Sequence, residues 1–236
     1  MLISVIGYKG VVGGATYRLF KHLGYDVIGA DKGDCIELSD VYFICVPEWA
    51  VADVMPWIPQ SGLVVIRSSV PPLTTERLAK QYLRHICHNP EFLHQAVADI
   101  DAHNPDSVVI GECCDFHGAI LEALYKPLCC PIVRTQPRIS ETVKLARNNY
   151  GATVISFWNE IETICRAAGI NAYHVGMIAS FDPIITAKGS RFHGRYGGAC
   201  LPKDMKQMIR FAHSLNIEPK LLNAVESVND EVCNDT

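Results

Sequence analysis

Cys200 is the residue whose type and position most clearly point to chemistry. It lies in the segment GRYGGACLPKD at 194–204. Pro202 suits the first position of a helix, because its missing N–H would have no partner there. Such a helix places Cys200 just ahead of its N-terminus, where the helix dipole and Lys203 both favour a thiolate. Free cysteines are often buried, but the glycines and charges around Cys200 favour an exposed nucleophile.

A second group of polar residues shares one face of a long predicted helix. Lys144 and Asn148 are four residues apart, and Glu141 precedes Lys144 by three. Residues at these spacings lie on nearly the same stripe of a helix. If turned inward, a lysine with a carboxamide can stabilise an oxyanion and position water. The alternative is a solvated face with an ordinary Glu–Lys pair.

A glycine-rich turn follows the first predicted strand. Gly7, Gly10 and Gly13 permit a tight turn and the approach of a pyrophosphate to the next helix, although their spacing is one residue longer than the usual fingerprint. Asp31, at the end of the second predicted strand, is expected to hold a ribose hydroxyl and to repel a 2′-phosphate. This pattern predicts an NAD site, and neighbouring Lys32 weakens the preference over NADP. The alternative is a turn of glycines beside a surface aspartate.

The elements that position these residues follow from the hydrophobic pattern. Apolar runs alternate with amphipathic helical patterns in the first half, which predicts an α/β fold: a Rossmann-like, mostly parallel sheet with helices on both faces. From Ile139 to Gly169 only Gly151 interrupts a long helical pattern, and helices then dominate. We expect an NAD-binding domain over 1–137 and a helical domain over 138–236 that carries Lys144 and Cys200. The predicted strands are 2–7, 26–31, 40–47, 63–71, 85–90, 107–112 and 130–135.

Composition excludes several classes of protein. The chain has 236 residues, 49% of them hydrophobic and 19% charged, as expected for a globular protein. A net charge of -4 gives no basic surface for nucleic acid. The opening apolar run is too short to span a membrane, and ten scattered cysteines without a signal peptide predict reduced thiols in the cytoplasm.

Two pairs of adjacent cysteines, at 113–114 and 129–130, lack the two-residue spacing that is typical of zinc sites. The sequence therefore predicts that these cysteines are ordinary core or surface residues, and it predicts no metal site.

Five segments in order resemble the UDP-glucose/GDP-mannose dehydrogenase family, whose NAD-dependent enzymes oxidise a nucleotide-sugar alcohol to a carboxylate. The resemblance runs through nearly the whole chain. Its segments are the N-terminal dinucleotide fold, VVIRSSVPPLTT (64–75), NPEFL (89–93) with NPDSVVIG (104–111), SETVKLARNNYGATVISFWNEI (140–161) and YGGACLPKD (196–204).

The resemblance implies a role for the cysteine and for the polar residues. After one hydride transfer to NAD, Cys200 would add to the aldehyde as a thiohemiacetal, which a second hydride transfer converts to a thioester for hydrolysis. Lys144 and Asn148 would stabilise the oxyanion. Asp204 with Ser69 would position or activate water, and Ser69 stands where the family usually has threonine.

The remaining implied roles concern acid–base chemistry and binding. Glu91 would serve the acid–base steps, and Ser68 and Lys203 would lie against the cofactor. The substrate would be a nucleotide sugar, with UDP-glucose favoured, in the biosynthesis of a polysaccharide, and the protein would be a cytoplasmic homodimer. The residues implied in substrate binding are Phe92, Leu93 and Gly197.

The sequence also departs from the family pattern. Ile184 stands where the family has an arginine that helps to hold substrate across a subunit interface, a role for which Arg191 or Arg195 could substitute. His94, Gln95 and Ala96 replace the usual Arg-Glu-Gly-like segment. The sequence ends near the start of the family's long central helix, so it is expected to be a short form without the C-terminal nucleotide-binding domain.

Two classes of hypothesis follow. In the first, the chain is a compact dehydrogenase that binds a nucleotide sugar, or a smaller sugar derivative, with help from a second subunit. In the second, it is a non-catalytic NAD-binding relic or one part of a split enzyme that needs a partner chain. A single-step alcohol or hydroxyacid dehydrogenase would need no thiol, so a Cys200→Ser variant separates it from the thioester route.

Overall fold

The structure is a computed structural model that describes residues 1–185 and 194–232. The backbone divides into two compact units, Met1–Lys144, here the sheet unit, and a helical unit that begins at Leu145. The boundary lies inside one long helix, so the helical unit begins within an element that starts in the sheet unit. The domain division at residue 138 stays a prediction.

Strands and helices alternate through the sheet unit, and helices alone follow. The strands are β1 (Leu2–Ile6), β2 (Asp26–Ala30), β3 (Val41–Ile44), β4 (Leu63–Ile66), β5 (Ile86–His88), β6 (Val108–Gly111) and β7 (Ile132–Thr135). The helices are α1 (Val11–His22), α2 (Val51–Val54), α3 (Thr74–Tyr82), α4 (Ala98–His103), α5 (Asp115–Tyr125), α6 (Pro137–Ala167), α7 (Ala172–Ala179), α8 (Leu201–Ser214) and α9 (Lys220–Glu231).

The seven strands form one sheet in the order β2-β1-β3-β4-β5-β6-β7. Every neighbouring pair is parallel except β5 and β6, which are antiparallel. Because side chains alternate along a strand, Val41 and Phe43 of β3 enter one core, which also contains Phe20 of α1. Tyr42 and Ile44 enter a second core, which includes residues of α2 and α3. Burial on both faces explains why β3, β4 and β6 appear as continuous apolar runs in the sequence.

The junction between β5 and β6 has little backbone pairing. These strands share one register pair, His88 with Gly111, whereas β6 and β7 share four pairs. The Asn89 side chain adds a bond across the junction, because its Nδ2 donates to the Val109 carbonyl oxygen at 2.8 Å. The Tyr125 hydroxyl of α5 donates to Asn89 Oδ1 at 2.6 Å. Buried polar side chains therefore supply contacts where the ladder is short.

In the helical unit, α8 and α9 share a core with the part of α6 that lies beyond Lys144. The Ser156 hydroxyl of α6 donates to the Val225 carbonyl oxygen of α9 at 3.0 Å. The buried apolar residues of this core are Ala152, Tyr196, Met205, Ile209 and Val225.

The structure confirms the predicted fold class and its seven strands. The long helix is also confirmed: α6 begins at Pro137 and ends at Ala167, against the predicted range 139–169. In the part of the chain that the structure describes, no helix combines the length and the apolar character needed to cross a membrane.

Candidate active site

The turn between β1 and α1 depends on glycine. Gly7 has a φ of 87°, in the left-handed region that favours glycine. A Cβ atom on Gly13 would lie 2.1 Å from the Gly7 carbonyl oxygen, so the helix approaches the turn more closely than a side chain allows. Gly10 is the N-cap of α1. The three predicted glycines thus leave the N-terminus of α1 open to an anion.

Asp31 lies beside this turn, at the end of β2. Its Oδ2 accepts a hydrogen bond from the Lys9 backbone N–H at 3.3 Å, and its Oδ1 accepts one from the Lys32 N–H at 2.9 Å. Because β1 lies between β2 and β3, the turn stands where the strand order reverses, the position at which α/β sheets bind ligands. The predicted ribose carboxylate and the predicted phosphate turn therefore meet, and the residues present fit NAD.

Ser68 and Ser69 follow β4. The buried Ser68 hydroxyl donates to the Val46 carbonyl oxygen at 2.6 Å, which joins the segments after β3 and β4. Ser69 is half-buried. Both serines lie beyond the carboxyl end of a parallel strand, the side of the sheet to which the glycine turn also belongs.

Lys144 and Glu91 form a buried ion pair. The Lys144 Nζ donates to Glu91 Oε1 at 2.9 Å and to the Glu91 carbonyl oxygen at 2.7 Å. Lys144 and Glu91 are 4% and 7% exposed, and Glu141 is 0% exposed, so the predicted alternative of a solvated face with a Glu141–Lys144 pair is wrong. Lys144 turns inward because α6 presents it to the segment after β5, and its partner is Glu91 instead of Glu141.

The environment of Glu91 favours the carboxylate. Burial alone would raise its pKa, but the charge and hydrogen bond of Lys144 and the N–H of Leu93, which donates to Oε2 at 2.7 Å, hold the pKa of Glu91 below its usual value. The Lys144 Nζ also lies 5.5 Å from the centre of the Phe92 ring. Phe92 and Leu93, both predicted to contact substrate, are half-buried beside the pair.

Glu141 has a role that the sequence pattern did not indicate. Its carboxylate is fully buried and accepts hydrogen bonds from the N–H groups of Leu73 and Thr75, each at 2.7 Å, and from the Thr75 hydroxyl at 2.6 Å. These N–H groups belong to the N-terminus of α3, which Glu141 therefore caps. Burial raises the pKa of Glu141 to about 7 despite these bonds.

His88 is a second residue that sequence reasoning missed. It is fully buried, its Nδ1 lies 2.8 Å from the Ser140 hydroxyl, and its Nε2 lies 3.4 Å from the Ser68 carbonyl oxygen. A carbonyl only accepts, so the proton is on Nε2 and the Ser140 hydroxyl donates to Nδ1. Burial lowers the pKa of His88 to about 3, and the charges of Lys144 and Arg67 act in the same direction.

Arg67 is the third missed residue. It is buried beneath the ends of β4 and β5, donates to the Tyr125 hydroxyl at 2.9 Å and also donates to Asn89 Oδ1. The sequence did contain a signal for this residue, because a charged side chain inside an apolar strand pattern requires buried hydrogen-bond partners.

Cys200 is exposed and lies just ahead of α8, as predicted, and it is the N-cap of this helix. The helix begins at Leu201, so Pro202 is its second residue and not its first. The prediction was wrong by one residue, because Leu201 also adopts helical geometry. The Asp204 N–H donates to the Cys200 carbonyl oxygen at 2.9 Å and closes the first turn.

Asp204 connects two other predicted residues. Its side chain is fully buried, its Oδ2 accepts a hydrogen bond from the Asn148 amide at 2.5 Å, and its Oδ1 pairs with Lys203 Nζ at 2.5 Å. Asn148 on α6 and the first turn of α8 are thereby joined within the helical unit. Lys203 remains 39% exposed at its side chain.

The loop before Cys200 is attached to α9 by its backbone. The Tyr196 N–H donates to Asn229 Oδ1 at 2.7 Å, and the Asn229 amide returns a bond to the Tyr196 carbonyl oxygen at 3.2 Å. Gly197 and Gly198 follow, both exposed, and Gly198 has a φ of 74°. The glycine pair lets the chain reverse between this anchor and the exposed thiol.

Ile184, which stands where the resemblance implies an arginine, has an uncharged side chain. Ile184 is 85% exposed. Arg195, one of the two predicted substitutes, forms an ion pair with Asp230 of α9. Arg191, the other, lies outside the described residues.

The predicted site residues therefore form two groups in the sheet unit and one in the helical unit. The sheet unit brings Glu91, Phe92, Leu93 and Lys144 into contact and places Gly7, Gly10, Gly13 and Asp31 together. The helical unit joins Asn148, Lys203 and Asp204 and presents Cys200 and Gly197 on the adjoining turn.

Comparison with known proteins identifies relatives for both units. The NAD binding domain of the UDP-glucose/GDP-mannose dehydrogenase family matches residues 34–129, and the central domain of the same family matches residues 138–231. The chain is 33% identical to the UDP-glucose 6-dehydrogenase YwqF of Bacillus subtilis (strain 168), over 73% of this chain and 41% of that protein. It is 32% identical to a GDP-mannose 6-dehydrogenase of Pseudomonas putida, over 71% of this chain and 41% of that protein.

A solved structure supports the same relationship. The UDP-glucose dehydrogenase from Pyrobaculum islandicum superimposes with a TM-score of 0.91 at 27% identity, over 97% of this chain and 68% of that one. The chain thus spans less than half the length of the two curated relatives. The cofactor of the matched N-terminal domain is NAD. With both family domains matched in order, the chain belongs to the UDP-glucose/GDP-mannose dehydrogenase family.

Proposed function

We propose that this chain is an NAD-dependent dehydrogenase that oxidises the primary alcohol of a nucleotide sugar to a carboxylate. UDP-glucose is the favoured substrate, because the structural relative with a TM-score of 0.91 is a UDP-glucose dehydrogenase, as is the curated relative at 33% identity. A role in polysaccharide biosynthesis accompanies that substrate. The predicted cytoplasmic location rests on the cysteines within residues 1–185 and 194–232, none of which forms a disulfide.

The observation that carries the proposal is the position of Cys200, exposed at the N-cap of α8. The unpaired N–H groups at a helix N-terminus favour a thiolate, which is the nucleophilic form of cysteine. Single-step oxidation of an alcohol does not need such a nucleophile. A covalent intermediate is needed when an aldehyde must be held and oxidised again.

The proposed reaction balances in four steps. The alcohol loses a hydride and a proton to give an aldehyde. The Cys200 thiol adds across the C=O bond of the aldehyde, with its sulfur on the carbon and its proton on the oxygen, and the resulting thiohemiacetal loses a second hydride and proton to become a thioester. Water then cleaves the C–S bond, which releases the carboxylate and restores the thiol. Bound NAD supplies the hydride acceptor in each oxidation, so one sugar yields two NADH.

We assign Lys144 and Glu91 to charge and proton handling. The bonds to Glu91 use two of the three Lys144 protons, so the ammonium keeps a donor for a developing oxyanion. Glu91 would act as the base in thioester formation and hydrolysis. Its lowered pKa keeps it ionised and therefore able to accept a proton.

We assign Asn148, Asp204 and Ser69 to the positioning of the oxyanion and of water. The buried Asp204 carboxylate orients the Asn148 amide and pairs with Lys203, so each group has a defined direction. Ser69 offers a hydroxyl after β4. Ser68 and Lys203 would lie against the cofactor, and Phe92, Leu93 and Gly197 against the sugar.

A homodimer is part of the proposal. In the helical unit, Tyr150, Phe157 and Ile164 of α6 are 69%, 53% and 57% exposed and are spaced by seven residues, so they form one apolar stripe. A second copy of the chain is the partner that suits a stripe repeated on each subunit.

The test is NADH production by the purified full chain with NAD and limiting amounts of each of several nucleotide sugars. We expect about two NADH per sugar consumed for the correct substrate. Cys200→Ser is expected to lose the second oxidation, and Cys200→Ala to release no carboxylate. Cys35→Ala, which removes another exposed cysteine, is the matched control and should keep the stoichiometry.

Two outcomes would contradict the thioester route. One NADH per substrate with no effect of Cys200→Ala would indicate a single-step dehydrogenase. NAD binding without NADH from any sugar would favour a non-catalytic NAD-binding protein or one part of a split enzyme, a reading that the loss of the arginine at Ile184 supports. NADH production after the addition of a candidate partner chain would then indicate a split enzyme, and its continued absence would indicate a non-catalytic protein.

A further inference from the structure

We propose that the sheet unit carries a zinc site formed by His85, Cys113, Cys114 and His117. The proposal is independent of the dehydrogenase activity. The ligand atoms of these four side chains all lie within 4.8 Å of one another. In residues 1–185 and 194–232, they are the sole group of three or more histidine, cysteine or acidic side chains close enough to hold a metal ion.

The fold explains how two distant segments meet here. β6 runs antiparallel to β5, and His88 pairs with Gly111. Extension of this register by three residues places Cys114 opposite His85, just before β5. α5 begins at Asp115, so His117 is in its first turn, on the same face as the adjacent cysteines.

The distances match tetrahedral coordination. Zn–S bonds of about 2.3 Å and Zn–N bonds of about 2.0 Å at tetrahedral angles separate sulfur from nitrogen by about 3.5 Å. The His117 Nδ1 lies 3.3 Å from Cys113 Sγ and 3.0 Å from Cys114 Sγ. The His85 Nδ1 lies 3.8 Å from Cys113 Sγ. Small side-chain rotations would therefore bring all four atoms around one ion.

The donor set selects the class of metal. Two thiolates and two imidazoles form a common structural zinc site, whereas magnesium and calcium require oxygen ligands. His85 is exposed and the other three ligands are half-buried, so an ion can enter from solvent. The adjacent cysteines did not predict this site from the sequence, because His85 reaches them only through the β5–β6 pairing.

The position of the site indicates a structural function. His85 precedes the amino end of β5, whereas Glu91 follows its carboxyl end, so the metal would lie at the opposite edge of the sheet from the proposed chemistry. It would connect the start of β5 to the start of α5 across the junction that has one register pair. Cys87 is buried behind the site, with its Sγ 3.7 Å from Cys113 Sγ.

The first experiment measures the metal content of the full chain, purified under reducing conditions, loaded with ZnCl₂ and dialysed. We expect about one zinc ion per chain. His117→Gln and Cys114→Ser should lose most of the zinc. Cys129→Ser, from the other adjacent pair, is the matched control and should retain it. Circular dichroism would check that each variant is folded.

A second measurement does not depend on variants. CoCl₂ added to the metal-free wild type should produce the visible absorption of a tetrahedral cobalt–thiolate site, and ZnCl₂ should abolish it. Wild-type protein that binds no zinc and gives only the spectrum of hydrated cobalt would overturn the proposal. A disulfide that joins Cys113 to Cys87 or Cys114 in the reduced preparation would also overturn it, because those thiols could not then bind metal.

Discussion

Lys144 is stable in the interior because Glu91 neutralises it. Removal of one charge from a buried pair leaves the other without compensation, which typically costs about 3–5 kcal/mol. We therefore expect Lys144→Met to lower the free energy of unfolding by about that amount, as measured by urea denaturation.

Two further variants test the cause of this loss. Arg138→Met breaks the exposed pair of Arg138 with Glu76 and should cost about 1 kcal/mol or less. The double variant Lys144→Met with Glu91→Gln should recover part of the loss, because it removes the isolated charge. An equal effect of the buried and exposed single variants would contradict the role of burial.

His88 gives a second prediction at the residue scale, concerning pH. Its pKa is about 3 in the folded protein, below the usual 6.5 of an unfolded chain, so only the unfolded chain gains a proton between these values. The stabilising effect of the neutral ring is complete above pH 6.5 and is lost as the pH falls towards 3. The expected loss between pH 7 and pH 5 is about 2 kcal/mol.

His88→Gln should flatten this part of the stability profile, because glutamine does not titrate but can form similar hydrogen bonds. Urea denaturation at several pH values provides the measurement. His22→Gln, at an exposed histidine, should leave the profile unchanged. The same pH dependence in wild type and His88→Gln would rule out His88 as its source.

Sequence reasoning did not identify the partners of the candidate catalytic residues. Lys144 and Glu91 were both predicted to be catalytic, but their contact joins residues 53 positions apart and is set by the fold. Glu141 was grouped with Lys144 by helical spacing, yet its hydrogen bonds go to Thr75, 66 positions away. Periodicity indicates which residues share a face, but it does not indicate what covers that face.

At the scale of elements, the glycine turn and α1 are in such close contact that a methyl group added at Gly13 would separate them. A Cβ at Gly13 would lie 2.1 Å from a backbone oxygen, which cannot move like the end of a flexible side chain. We expect Gly13→Ala to displace α1 from the turn and to abolish NAD binding, measured by isothermal titration calorimetry.

Gly151, in the interior of α6, is the matched control. A Cβ there has no atom within 4 Å, so alanine adds no clash. Alanine is also the better helix former by about 1 kcal/mol. Gly151→Ala should keep NAD binding and raise the melting temperature, whereas equal NAD affinity in both variants would show that the close approach at Gly13 is not required.

The elements that sequence predicted best are those buried on both faces. Each buried strand appears as an apolar run, and the long α6 pattern is interrupted only at Gly151. The short helices α2 and α4 were not predicted, because four and six residues are too few to establish a period. The antiparallel direction of β6 was also not specified, because an apolar run has no direction.

At the scale of the whole molecule, the exposed stripe of Tyr150, Phe157 and Ile164 leads to a prediction about assembly. Sedimentation of the wild type should show a dimer. Phe157→Arg should shift it towards monomer, because it places a charge in the centre of the stripe. Trp49→Arg, at a residue that is 76% exposed in the sheet unit, is the control and should remain dimeric. Persistence of the dimer in Phe157→Arg would assign the interface to another surface.

The single register pair between β5 and β6 has a consequence for native-state motion. Strands that share few backbone bonds can separate without global unfolding, so β6, α5 and β7 form a segment able to open as one cooperative unit. The backbone amide hydrogens of this segment would then exchange with solvent after a partial opening. The amide hydrogens of β1, β3 and β4 would exchange only after complete unfolding. An ion bound between His85 and the Cys113–His117 turn would prevent the partial opening, so both sets of amide hydrogens would exchange only after complete unfolding.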